Sequence, residues 1–162
     1  MRFKKHIKII LVILVILIAL QFISYFAFSP SRIPSIALRL TPEHVHFAKG
    51  TKFDWVLFTG CRNLTDSQKE RLLFLLRKHY NTVYMDVNDL PETAFHRGPN
   101  GEVLGFNRGF SYGFSIASKG LFWVWVSHGD YEGNLAAFSG EHLYIWLFGT
   151  WIKVHDGRML IS

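Results

Sequence analysis

Between Ile9 and Phe28 the chain runs for 20 residues without a charge, and only Gln21 and Ser24 among them are clearly polar. An α-helix rises about 1.5 Å per residue, so this segment covers the roughly 30 Å hydrocarbon core of a bilayer. Such a helix satisfies its own backbone hydrogen bonds and can be surrounded by lipid. From Ile9 to Leu20 it is apolar on every face, whereas a helix of a soluble core shows a single stripe. A cleaved signal peptide is the rival reading. Its apolar region normally spans about 7–15 residues, and Pro30 directly follows the small-residue pattern Ala27-Phe28-Ser29. The sequence therefore predicts an uncleaved, single-pass signal anchor whose partner is the lipid bilayer, through residues 9–28.

The flanks predict its direction. Arg2, Lys4, Lys5 and Lys8 precede the segment, and only Arg32 and Arg39 follow it closely. Basic residues stay on the cytoplasmic side, so the amino terminus is expected inside and the rest of the chain outside, periplasmic in a Gram-negative bacterium. The same four residues account for most of the formal charge of +6. The remaining 14 basic residues face 12 acidic ones, a balance of +2. That removes the electrostatic case for a nucleic-acid partner.

Four parts are expected: a basic tail over 1–8, the transmembrane helix over 9–28, a proline-containing linker over 29–50 and an extracytoplasmic domain over 51–162. Pro30, Pro34 and Pro42 bias their predecessors away from helix. Ile33, Ile36, Leu38 and Leu40 argue that part of the linker docks on the domain or on the bilayer surface.

Within the domain, Phe53 to Thr59 reads as a strand. Thr65 and Gln68 then form a capping box that opens a helix. Asp66 in its first turn and Arg77 and Lys78 in its last suit the helix dipole, and Leu72, Leu73, Leu76 and Tyr80 make its apolar stripe. Beyond Thr82 the pattern is one of strands, with Asn88 to Gly101 as a polar loop. Lys119-Gly120 and Asp156-Gly157 are read as hairpin turns, the latter the strongest such signal in the chain. Ser139-Gly140 closes one strand before His142 opens the next. The predicted fold is α+β: the transmembrane helix, then one α-helix packed on a mainly antiparallel β-sheet of five to seven strands.

Two groups of residues suggest function. His128, Asp130 and Glu132 alternate, so a continuing strand would project all three from one face. They are the candidates for a catalytic role, and His142 and Glu141 could approach from the next strand. The spacing lacks a fourth ligand, so no metal site and no cofactor are expected. The second group is aromatic: Trp123, Trp125, Trp146 and Trp151 crowd the last strands. Trp123 and Trp125 share one strand face while Phe122, Val124 and Val126 share the other, and both faces are apolar. One suits the helix; the other calls for a protein partner, an apolar ligand or some other cover. Cys61, the single cysteine, rules out an intrachain disulfide and reads as a small buried hydrophobe. The reading that best fits is a membrane-anchored, non-catalytic binding or assembly module. The alternative is a small anchored hydrolase, with or without metal, using His128, Asp130 and Glu132.

Overall fold

The computed structural model describes residues 2–41, 52–131 and 137–161. Helix α1 (Arg2–Arg39) is followed by β1 (Trp55–Arg62), α2 (Asp66–His79) and the short β2 (Thr82–Tyr84). Two 3-10 turns, Val87–Asp89 and Glu92–Ala94, lead to β3 (Phe95–Arg97) and β4 (Val103–Phe106). Four long strands complete the chain: β5 (Gly109–Gly120), β6 (Trp123–Tyr131), β7 (Ala137–Leu147) and β8 (Thr150–Ile161).

The fold is α+β, as predicted. A six-stranded sheet has the order β2-β1-β5-β6-β7-β8, and β3 and β4 form a separate two-stranded ribbon. β5 to β8 are antiparallel neighbours. β1 pairs parallel with both β2 and β5, so α2 is the crossover of a β-α-β unit rather than a lid on a purely antiparallel sheet.

Helix α2 forms where its caps place it. The Thr65 hydroxyl accepts from the Gln68 amide, and the Gln68 side chain accepts in turn from the Thr65 amide. Leu72 and Leu76 are fully buried and Leu73 packs at the edge of the same core. They meet the sheet face carrying Val56, Phe110, Phe114, Val124 and Val126.

Helix α1 departs from expectation. The linker predicted over 29–50 is helical up to Arg39, and α1 holds Pro30 and Pro34 inside it. A proline removes one helical donor and leaves the carbonyl four residues earlier without its partner. Here the carbonyl of Pro30, which Pro34 cannot serve, accepts from Gln68 Nε2 at 2.8 Å. The neighbouring Ser29 carbonyl accepts from Trp151 Nε1 at 3.1 Å, and Ala37 near the helix end from the Tyr112 hydroxyl at 2.6 Å. The domain's own side chains thus hold together a stretch that its prolines would otherwise break. The docking expected of this stretch is real: Ile33, Ile36, Ala37 and Leu40 belong to the main core. The packed unit begins upstream of residue 51.

The amino-terminal part of α1 is different. From Ile7 to Leu20 nearly every large apolar side chain is exposed, and the helix projects beyond the sheet. It is long and apolar enough to cross a membrane.

Three turn expectations also change. Asp156-Gly157 makes no hairpin, since β8 runs through it in pairing with β7. Gly157 has no room for a side chain, because a Cβ there would meet Trp125 and Glu141. Ser139-Gly140 likewise lies inside a continuous β7. Lys119 and Gly120 are paired strand residues, and the turn falls just beyond them at Leu121-Phe122, between paired Gly120 and Trp123; the other hairpin turns at Phe148-Gly149, between paired Leu147 and Thr150. Phe148 and Gly149 both have positive φ, as a type I′ turn requires.

Candidate functional site

Alternation sorts the long strands into two faces. On the face covered by α1 and α2, β6 presents Val124, Val126, His128 and Asp130, and β7 presents Gly140, His142, Tyr144 and Trp146. Apolar residues occupy the end nearer the two hairpin turns, and polar ones the middle of the sheet. His128 is paired in register with Gly140, and His142 with Asp156. Gly140 leaves the room that both imidazoles fill: a Cβ there would lie 3.1 Å from His128 Nε2 and 3.2 Å from His142 Nε2.

The result is a chain of four ionisable groups, three of them buried. Asp130 Oδ1 lies 3.4 Å from His128 Nδ1, and the two side chains are 5% and 0% exposed. The two Nε2 atoms of His128 and His142 are 3.1 Å apart. His142 Nδ1 is 2.6 Å from Asp156 Oδ1, which Lys153 Nζ also approaches at 2.9 Å. The chain therefore runs from the interior to a carboxylate at the surface. Burial lowers the pKa of His142, against the pull of its hydrogen bond to Asp156. Asp156 is held below the usual carboxylate range, chiefly by its hydrogen bond to Lys153 and also by His142. Chemically, such a chain can hold or pass protons. At its inner end His128 Nδ1 and Asp130 Oδ1 make no hydrogen bond.

Of the predicted catalytic trio, His128 and Asp130 do share a face and a contact. Glu132 lies outside the described residues. Glu141 is on the opposite sheet face, where its carboxylate accepts a long bond of 3.4 Å from Trp125 Nε1. Asp156 is the member that sequence reasoning missed, because Asp-Gly reads locally as a turn. Among the described residues, no three His, Cys, Asp or Glu side chains gather as a metal-binding set. Cys61 packs against the core, and burial raises its thiol pKa, with Lys69 only partly offsetting it. A protonated thiol is a poor nucleophile.

The four tryptophans divide between the faces. Trp146 and Trp151 are buried under α1, their rings 5.3 Å apart, and Trp146 Nε1 donates to the Ser24 hydroxyl at 3.1 Å. Trp123 and Trp125 stand on the opposite, outer face. There Trp123 is in register with Ile145 and Ile145 with Ile152, while Trp125 is in register with Leu143 and Leu143 with His155. This aromatic and aliphatic surface borders a floor of small residues, Gly113, Ser115, Ser127 and Gly129, where the two serine hydroxyls bond at 2.6 Å. Both helices lie on the other side of the sheet. Comparison with known protein families, curated proteins and solved structures gives no match for this chain.

Proposed function

We propose that this chain is a single-pass membrane-anchored module, amino terminus in the cytoplasm and β domain outside, that binds a protein partner without catalysing a reaction. The observation that carries the reading is the outer face of β6, β7 and β8. Trp125, Leu143, Ile145 and Ile152 form a continuous apolar surface that no described element covers, and Ile152 is 40% exposed. Large aromatic and aliphatic side chains clustered in this way are what a protein interface buries at its centre. The surface continues into β8, a sheet edge of 12 residues whose backbone can pair with a partner strand. The basic residues before α1 support the orientation. The hydrolytic alternative has less support: the side chains of His128 and Asp130 are 0% and 5% exposed.

The test is photocrosslinking in cells from positions 125 and 143, with position 78 on α2 as the control. The reading expects a discrete adduct from 125 and 143 that is lost when Leu143 is changed to Asp. Equal labelling from all three positions, or none, contradicts it. A reporter fused after Ser162 should be active only as an extracytoplasmic enzyme; activity of a cytoplasm-only reporter reverses the orientation.

A further inference from the structure

The two hairpin turns of the sheet lie beside α1 inside the segment assigned to the bilayer. Gln21 Nε2 donates to the Trp146 carbonyl at 2.6 Å, and Gln21 Oε1 accepts from the Phe148 amide at 2.8 Å. The Tyr25 hydroxyl donates to the Gly120 carbonyl at 3.0 Å. The Phe122 ring packs edge-on against both Phe22 and Tyr25, each with a centroid distance of 4.9 Å. These contacts fix the turns at the level of residues 21–25.

Helix length bears on what surrounds them. Ile9 to Gln21 rises only about 18 Å at roughly 1.5 Å per residue. The hydrocarbon core is about 30 Å thick, so the missing ~12 Å must come from the next two turns of helix, the part the hairpins flank. We infer that the β5–β6 and β7–β8 turns are seated among the acyl chains of the leaflet on the domain's side. This rests on α1 being a membrane span.

The turns have the chemistry that this placement needs. Leu121, Trp123, Leu147 and Phe148 are all exposed, with Phe148 at 56%, and no charged residue occurs in 121–126 or 143–151. Several of their backbone groups are served by the protein itself. Besides the bonds from Gln21 and Tyr25, the Trp146 amide donates to the Phe122 carbonyl at 2.7 Å, and Arg32 donates to the Gly149 carbonyl. A hairpin in water has no use for such partners, whereas in hydrocarbon each unsatisfied group costs several kcal/mol. Gln21 and Ser24 thereby find a role: Gln21 serves two backbone groups beside one turn, and Ser24 accepts the indole N–H of Trp146.

The experiment uses the full chain with Cys61→Ala, reconstituted in vesicles of neutral phospholipid. Single cysteines at 15, 100, 121 and 147 carry an environment-sensitive fluorophore. Labels at 121 and 147 should show blue-shifted emission and lose intensity to lipids spin-labelled on the acyl chain, as the label at 15 does. The label at Asn100, on the distal loop between β3 and β4, should do neither. If 15 is quenched by lipid while 121 and 147 behave like 100, the seating is wrong and the anchor stands. If 15 is itself open to aqueous quencher, the membrane span fails and the seating with it.

Discussion

Nε2 of His128 lies 3.1 Å from Nε2 of His142, with the ring planes 18° from parallel. One nitrogen must donate and the other accept. Asp156 decides which. Its ionised carboxylate only accepts, so the proton of a neutral His142 sits on Nδ1, and His142 Nε2 accepts from His128.

This arrangement predicts acid sensitivity. The folded pKa of His142 is depressed from its usual 6.5, mainly by burial. The unfolded chain therefore takes up the proton first as pH falls. The stabilisation is complete above about pH 6.5 and is lost progressively below it. Melting temperature followed from about pH 8 to pH 5 should fall through that window, and His142→Gln should flatten the profile while lowering its plateau. A wild-type profile no steeper than that of the variant would contradict the assignment.

The carboxyl-terminal part of α1 predicts where the chain can be cut. Ile36 is fully buried in the domain core. Ile36→Ala should cost about 2–5 kcal/mol, as for other large-to-small changes in cores. A fragment starting near Ser29 should melt cooperatively. One starting at Gly50 loses Ile33, Ile36, Ala37 and Leu40 together and should show a broad or absent transition by differential scanning calorimetry. Equal cooperativity of the two fragments would mean that α1 is dispensable.

Leu76 and Lys69 offer a contrast within one helix. Leu76→Ala opens a cavity under α2 and should cost about 2–5 kcal/mol. Lys69 pairs with Asp66 at 3.2 Å in the open, and surface pairs of this kind contribute about 0–1 kcal/mol. Urea denaturation of the two variants should separate them clearly; similar midpoints would deny α2 its place on the sheet.

Gln68 and Pro34 should be coupled. Gln68→Met removes the donor to the Pro30 carbonyl and half of the capping box, at a cost of about 1–3 kcal/mol. Pro34→Ala restores an amide four residues after Pro30 that can serve the same carbonyl. In a double-mutant cycle the cost of Gln68→Met should be smaller in the Pro34→Ala background. Strict additivity would show that the two groups do not share that carbonyl.

The elements visible in the sequence were those set by local chemistry. Thr65 and Gln68 cap α2 through contacts three residues apart, and the charge-free segment defines the apolar helix by itself. Alternation along β6 separated Val124 and Val126 from Trp123 and Trp125 and put His128 with Asp130. What could not be read depends on distant partners. Pro30 and Pro34 argue for a break unless Gln68, Trp151 and Tyr112 are known to be near. Asp156-Gly157 argues for a turn unless Trp125 is known to lie against Gly157, and that misreading hid Asp156 from the histidine chain. The parallel pairing of β1 with β5 leaves no mark in either strand.

The absence of a break at Pro30 and Pro34 has a mechanical consequence. A tethered domain would wander over the membrane at the end of a flexible leash. Here one unbroken helix holds both the apolar segment and the part packed on the sheet, so with α1 in the bilayer, tilt or rotation of that helix carries the outer face of β6–β8 with it. The height and heading of that face then follow from the seating of α1. On the proposed reading, a partner in the same membrane meets the face at a fixed elevation, and turning the face turns the amino-terminal end of α1 as well.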